Sequence, residues 1–217
     1  VAGLVNLTNV TESAGTLSGS AQIASDVSGS FTKGFSVSNT VGPVLRVASS
    51  FDLDGSADFF QVSGSANATN LHPLSSSFTI AGWLNYDALG TIGNWISTYT
   101  YPRGFYARKN SANKAYMEVQ NGVTPAYSSG ITGGTSLTAG KWHFVVGVYT
   151  MVAGGSSKLD LYLDGVSDAT QVTNAVIISR PADNLRLVVG SRDWSYDSGV
   201  DGKIADVAVW NAALSAS

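Results

Sequence analysis

Short runs of apolar residues, many alternating with polar ones, recur along most of this chain. From residue 44 onward they are rich in Val, Ile, Phe, Tyr and Trp and are bounded by Gly, Asn, Asp and Ser. Such runs predict β-strands, because successive side chains of a strand point to opposite faces. The predicted strands are 44–49, 58–63, 78–86, 94–101, 104–109, 115–119, 142–151, 158–163, 185–190 and 203–210. No window of helical length has helical periodicity, so the pattern predicts an all-β sandwich or barrel.

Two segments show the alternation most clearly. The segment KWHFVVGVYTM places every second residue on one face, namely Trp142, Phe144, Val146 and Val148. In KLDLYLDG the expected inner residues are Leu159, Leu161 and Leu163, with Asp160 and Tyr162 facing the other way. We expect the strand residues Trp83 and Trp142 to pack in the core between two sheets.

The pair Asp164-Gly165 follows the second of these strands directly. An Asp-Gly pair favours a two-residue type I′ turn, which predicts a hairpin here. In such a turn Asp164 should point to solvent.

Residues 1–43 have a different composition, rich in Ser, Thr, Gly and Asn. They predict one early strand and a long irregular connection within the same domain, followed by the sandwich over 44–217. The chain begins at Val1 without Met, so we expect it to be cut from a longer protein.

Composition excludes several classes of function. Only 12% of the 217 residues are charged, the net charge is −3, and the twelve basic residues are scattered, whereas nucleic-acid binding needs clustered Lys and Arg. Cysteine is absent, which excludes disulfides and thiolate metal sites, and no apolar run approaches a membrane span of about 20 residues. A surface of Ser, Thr, Asn and Gly is typical of secreted proteins and virus fibres, so we expect an extracellular or virion-surface location.

Four segments carry a family resemblance through their order and spacing. They are SSFDLDGSADFFQV (49–62), SFTIAGWLN (77–85), LTAGKWHFVVGVYT (137–150) with LDLYLDG (159–165), and LRLVVGS (185–191) with DGKIADVAVWNAALSAS (201–217). Together they resemble the laminin-G-like, or pentraxin-like, jelly roll of the concanavalin A-like lectin/glucanase group. The resemblance implies a two-sheet antiparallel β-sandwich.

The same group contains glycanases, so catalysis has to be considered. Retaining glycoside hydrolysis needs two carboxylates about 5 Å apart, which the family's glycanases supply from a Glu-x-Asp-x-Glu type of array. This chain has only Glu12 and Glu118, and neither has an acidic residue within four positions. His143 lies in a predicted strand and His72 in a predicted loop, so neither is expected to act as a base. We therefore expect no enzyme, and a glycanase or polysaccharide lyase is the second alternative.

Two aspartate groups could hold a metal. Asp52, Asp54 and Asp58 superficially resemble a calcium loop, but the family counterpart is a strand and a tight turn, which favours a structural role. The second group shares one polar loop and consists of Asp193, Asp197 and Asp201. Carboxylate oxygens suit Ca²⁺, and members of the family often hold a structural calcium, so the second group is the candidate site for one structural Ca²⁺.

The resemblance places the loops around 99–106 and 191–202 side by side at one rim. The candidate ligand-binding residues there are Tyr99, Tyr101, Arg103, Tyr106, Asp193, Trp194 and Tyr196. Aromatic rings with Arg and Asp suit a sugar, and the same residue types suit a protein contact. The alternative is that some of these tyrosines are core residues or loop supports.

The function expected from the sequence is a non-catalytic recognition module in a larger extracellular adhesin or phage fibre or tail protein. Its partner would be a glycan or a cell-surface receptor. The first alternative is a structural module in a virion or extracellular filament, with neighbouring subunits as partners. Asn6, Asn9 and Asn67 stand in glycosylation sequons, which would be used only in a eukaryotic host.

Overall fold

The structure is a computed structural model. It describes residues 45–47, 50–56, 58–63, 76–98, 103–121, 128–173, 186–192 and 198–215. The predicted early strand and the assignment of 1–43 to the sandwich domain lie outside these residues. Among the described residues no helix is long and apolar enough to cross a membrane.

The described residues form thirteen strands. In chain order they are β1 (Leu45–Val47), β2 (Phe51–Asp54), β3 (Phe60–Ser63), β4 (Phe78–Tyr86), β5 (Gly93–Ser97), β6 (Arg103–Lys109), β7 (Lys114–Asn121), β8 (Ser128–Ser136), β9 (His143–Thr150), β10 (Ser157–Leu163), β11 (Val166–Thr173), β12 (Arg186–Val189) and β13 (Asp201–Trp210).

These strands make two antiparallel sheets. The seven-stranded sheet has the order β1-β13-β4-β9-β10-β11, with β2 also paired to β13. The six-stranded sheet has the order β3-β12-β5-β6-β7-β8. The fold is a two-sheet antiparallel sandwich of the jelly-roll kind, which confirms the predicted fold class.

The core lies between the sheets and is built from alternate residues of each strand. Phe78 of β4 packs against Phe105 of β6 across the sandwich, with ring centroids 4.7 Å apart. The predicted inner residues of β10, Leu159, Leu161 and Leu163, are buried in the same cluster, which confirms that prediction.

Three strands were not among those predicted from the sequence, namely β2, β8 and β11. In β8 the buried positions are Ser129, Ile131 and Gly133, so only one large apolar residue marks the inner face. In β11 Val166 and Val172 are exposed. Both β8 and β11 are edge strands, whose polar sequences are typical of positions that a partner strand covers on one side only.

The expected positions of two tryptophans are wrong. Trp83 is 39% exposed and Trp142 is 36% exposed, on the outer side of the seven-stranded sheet. The core-facing residues of β9 are instead Val145 and Tyr149. The side chains of β9 alternate between the two faces as predicted. The more apolar set of alternate residues, however, lies on the outer face of the sheet.

The Asp164-Gly165 turn has the predicted form. Leu163 pairs with Val166, and both turn residues have positive φ, 53° and 82°, as a type I′ turn requires. The expectation that Asp164 points to solvent is wrong in part, because its carboxylate accepts a hydrogen bond from the Phe144 backbone N–H at 2.8 Å and lies 2.9 Å from Nδ1 of His143. Since Nε2 of His143 accepts a hydrogen bond from Thr138 N–H at 3.0 Å, the imidazole holds the end of the hairpin in place.

Candidate functional site

Most of the predicted binding residues lie outside the described part of the chain. These residues are Tyr99, Tyr101, Asp193, Trp194 and Tyr196, and the predicted metal ligand Asp197 also lies outside it. For Arg103 only the backbone is described, in β6 opposite Asn121. Tyr106 and Asp201 are described in full.

The expectation that the two predicted loops share one rim does not fit their described ends. The loop at 191–202 returns at Ser198, whose carbonyl oxygen accepts a hydrogen bond from Asn94 N–H at 2.7 Å. The loop that begins at residue 99 follows Thr98, at the other end of β5, where Thr98 N–H bonds Phe105 O at 2.9 Å. Because β5 runs extended between Asn94 and Thr98, these ends are about 13 Å apart.

Tyr106 lies within β6 and not in a rim loop. Its neighbours Phe105 and Ala107 face the core, so alternation turns Tyr106 to the outer face of the six-stranded sheet. The register pairs Tyr106 with Glu118 of β7 and with Ser97 of β5. The candidate site is therefore on a sheet face.

Glu118 is the centre of a hydrogen-bonded cluster on that face. Its carboxylate accepts hydrogen bonds from Tyr106 Oη at 2.6 Å, from Tyr116 Oη at 2.5 Å and from Gln120 Nε2 at 2.9 Å. Tyr116, Glu118 and Gln120 are alternate residues of β7, so they share the outer face while the residues between them enter the core. Three donors hold the carboxylate in one orientation, and we call these four residues with Arg108 the Glu118 cluster.

Both tyrosines of the Glu118 cluster stay protonated over the ordinary pH range. Burial and the hydrogen bond to the Glu118 carboxylate raise the pKa of Tyr116 to about 12. The same two causes, with burial the larger, raise the pKa of Tyr106 still further. Each phenol is therefore a hydrogen-bond donor to Glu118.

Within the Glu118 cluster, Arg108 places a positive charge over the two tyrosine rings. Its guanidinium lies over the ring of Tyr116 at 4.6 Å and over the ring of Tyr106 at 5.1 Å. Such cation–π contacts orient a guanidinium without occupying its N–H groups. The Nε atom is buried, and within the described part of the chain it has no hydrogen-bond partner.

No group of three or more His, Cys, Asp or Glu able to hold a metal occurs among the described residues. Asp54 accepts a hydrogen bond from Ser56 N–H at 2.8 Å, and Asp58 accepts one from Asp54 N–H at 3.2 Å, so this segment is a side-chain-supported turn. In the other predicted group only Asp201 is described. It lies within electrostatic reach of the buried Lys109, whose pKa is lowered by burial and raised in part by the charge of Asp201.

Comparison with known proteins identifies the family. A model described as Laminin_G_3, of the concanavalin A-like lectin/glucanases superfamily, matches residues 54–217. The chain belongs to this family. The match confirms the resemblance drawn from the four sequence segments, whereas no curated protein sequence gives a significant match.

Solved structures share the fold of this Laminin_G_3 chain at low identity. One is the CBM40 module of the Ruminococcus gnavus IT-sialidase bound to α2,3-sialyllactose, with 15% identity, a TM-score of 0.61 and coverage of 81% of this chain and 96% of that one. A second is the SAP-like pentraxin of Limulus polyphemus, with 15% identity, a TM-score of 0.55 and 77% of both chains covered. A third is the botulinum neurotoxin serotype D binding domain, with 16% identity, a TM-score of 0.54, and 77% of this chain but 40% of that one covered.

The sequence reasoning missed four of the five residues of the Glu118 cluster. In AYMEVQN the outward residues Tyr116, Glu118 and Gln120 alternate with the core residues Ala115, Met117 and Val119. In FYARK the outward residues Tyr106 and Arg108 alternate in the same way. A search for polar and aromatic residues on the outward positions of adjacent predicted strands would have found them.

Proposed function

We propose that this chain is a non-catalytic glycan-binding module that recognises an acidic sugar on the outer face of its six-stranded sheet. The proposal rests on Arg108, a guanidinium held over two tyrosine rings with a buried Nε that lacks a partner among the described residues. A buried polar group is normally hydrogen-bonded. The Arg108 side chain as a whole is only partly buried, so a ligand that contacts its guanidinium can supply the missing acceptor. A carboxylate or sulfate suits a guanidinium best, because it can accept two parallel hydrogen bonds.

The rest of the Glu118 cluster favours a sugar as the carrier of that acidic group. Tyr116 and Arg108 are partly exposed and offer ring surface and N–H groups, while the buried Tyr106, Glu118 and Gln120 hold them in place from beneath. Sugars combine apolar C–H faces with hydroxyls, and sites of this mixed kind bind them. The solved relative with sialyllactose supports the same ligand class, since sialyllactose carries a carboxylate.

Recognition without catalysis is part of the proposal. The three side chains that bond Glu118 are two phenols and an amide, whereas a retaining glycanase places a second carboxylate about 5 Å from the first. We further propose the setting expected from the sequence, a larger extracellular adhesin or a phage fibre or tail protein.

Isothermal titration calorimetry with α2,3-sialyllactose tests the proposed site, with lactose as the neutral comparison. The native protein should bind sialyllactose and not lactose. Arg108→Gln should weaken this binding about ten- to hundredfold, because a charge-assisted hydrogen bond contributes about 1.5–3 kcal/mol. Arg108→Lys should give an intermediate loss, because the charge remains and the planar fork is lost.

The matched control is Lys158→Gln, which removes one positive charge from the other sheet, where Lys158 Nζ pairs with Asp160 at 3.0 Å. It should bind as the native protein does. If sialyllactose and a panel of uronic and sulfated glycans all fail to bind, or if Arg108→Gln binds them unchanged while folded, the proposal is wrong.

A further inference from the structure

A second group of aromatic and polar residues lies on the opposite side of the sandwich. Trp83 of β4 pairs with Phe144 of β9, and their ring centroids are 5.1 Å apart. Trp142 directly precedes β9 and is also exposed. We call Trp83, Phe144 and Trp142 the aromatic strip.

The strip is open on the side of β13. Trp83 pairs there with Ala205, a small residue that does not cover the indole. Burying such rings normally stabilises a fold, so two tryptophans each more than a third exposed on a sheet face are unusual. An exposed aromatic patch with polar groups at its border is typical of a binding surface.

Polar side chains of β4 and β13 lie beside the aromatic strip on the same face of the sheet. Asn85 is two residues beyond Trp83 on the same face, opposite Lys203 of β13. The Oδ1 atom of Asn85 is buried and has no hydrogen-bond partner in the residues that the structure describes. Because the Asn85 side chain as a whole is only partly buried, a rotation of its amide would present this acceptor to a ligand at the edge of the aromatic strip.

The charged side chains beside Asn85 carry a net negative charge. Lys203 Nζ is 3.4 Å from Asp52 Oδ2 and 3.9 Å from Asp87 Oδ1, so one ammonium faces two carboxylates. An acidic ligand would meet uncompensated negative charge here. A neutral ligand with hydroxyl donors fits better.

We propose that the aromatic strip and Asn85 form a second carbohydrate site, for a neutral oligosaccharide, on the outer face of the seven-stranded sheet. Sugar C–H faces stack on Trp83 and Trp142, and a sugar hydroxyl donates to Asn85 Oδ1. A wholly apolar partner surface would leave Asn85 Oδ1 unsatisfied, at a cost that a hydroxyl avoids. The site is independent of Arg108 and takes uncharged sugars, which goes beyond the function proposed above.

Binding of cellotetraose, xylotetraose, mannotetraose and maltotetraose, followed by tryptophan fluorescence and calorimetry, tests this proposal. At least one tetraose should bind. Trp142→Ala and Asn85→Leu should each weaken that binding about tenfold or more. Trp83→Ala should do the same. If Trp83→Ala fails to fold, Trp83→Tyr tests the same position, and it should retain most of the binding because it keeps an aromatic ring.

Two control variants separate this site from the Glu118 cluster. Val172→Ala, an exposed residue of β11 on the same sheet, should leave tetraose binding unchanged, and so should Arg108→Gln, which removes only the binding of acidic glycans. Absence of binding to all four tetraoses overturns the proposal. So does concentration-dependent self-association that Trp142→Ala abolishes, since that result would make the strip an interface between copies of this chain.

Discussion

The Asp168 carboxylate accepts a hydrogen bond from the backbone N–H of Thr135, with 2.9 Å between Oδ1 and the nitrogen. Asp168 lies in β11 of the seven-stranded sheet and Thr135 in β8 of the six-stranded sheet. Both strands are the ends of their sheets, so this bond joins the two layers along one open side of the sandwich. A second link, from Gln171 Nε2 to Ser129 Oγ at 3.4 Å, lies on the same side.

Asp168→Ala should lower the free energy of unfolding by about 1–2 kcal/mol, because it removes the partner of the Thr135 N–H. Asp168→Asn keeps an acceptor and should cost less. Urea denaturation measures both variants. Equal stability of Asp168→Ala and the native protein would show that the link contributes nothing.

Gly133 allows this link, because a Cβ at this position would collide with the Asp168 carboxylate. Gly133→Ala should therefore destabilise the native protein more than it destabilises the Asp168→Ala variant. A double-mutant cycle measures this coupling, which should be about 0.5–1.5 kcal/mol. If the two changes in the free energy of unfolding simply add, residues 133 and 168 do not contact each other in solution.

Asp164 should make the free energy of unfolding depend on pH in the acid range. Burial alone would raise the pKa of Asp164, but hydrogen bonds from Phe144 N–H and His143 and the charge of Lys141 together bring it below its ordinary value. Its contribution is therefore fully present above the unfolded pKa of about 3.9 and is lost as the pH falls through the lower folded pKa.

Denaturation at pH 7 and at pH 3 measures this contribution. Asp164→Ala should lose stability at pH 7 and should show a smaller decrease between the two pH values than the native protein. A parallel decrease in both proteins would contradict the role of Asp164. Asp58→Ala, an exposed carboxylate in the turn after β2, serves as the comparison.

Buried tyrosines should limit stability in alkali. Burial raises the pKa of Tyr86, Tyr106, Tyr116 and Tyr149, with the Glu118 hydrogen bonds adding to it for Tyr106 and Tyr116. These phenols keep their protons in the folded state above pH 10 and lose them in the unfolded chain, so stability present below about pH 10 is lost as the pH rises further. Phenolate absorbance should show four of the nine tyrosines ionising only on unfolding. Ionisation of all nine at an ordinary pKa in folded protein would contradict this.

Calcium addition tests the metal site predicted at Asp193, Asp197 and Asp201. If these carboxylates bind Ca²⁺, a concentration one hundred times the Kd should add about 2.7 kcal/mol to the free energy of unfolding. We expect a rise in Tm that Mg²⁺ does not reproduce and that Asp201→Asn removes. An unchanged Tm in excess Ca²⁺ would refute the site.

The Glu118 cluster shows how far the sequence could predict the candidate site. Alternation within β6 and β7 is visible in the sequence and implies one shared face for Tyr106 and Arg108, although the family resemblance placed Tyr106 in a rim loop. The pairing of Tyr106 with Glu118 depends on the register between two strands. Register results from the packing of the whole sheet, so the cluster could not be assembled from the sequence of either strand alone.

The sequence by itself determined ten of the thirteen described strands and the type I′ turn at Asp164-Gly165, because alternation and turn chemistry are properties of neighbouring residues. The choice of a two-layer sandwich over a barrel came from the family resemblance of the four sequence segments. The tertiary structure alone decided which alternate face of β9 enters the core and which edge strands close the sandwich. Trp142 and Phe144 are more apolar than the side chains usual on an open face, yet Val145 and Tyr149 are the buried set. That choice depends on which residues of the distant β4 and β10 lie beside β9, and no local pattern contains this information.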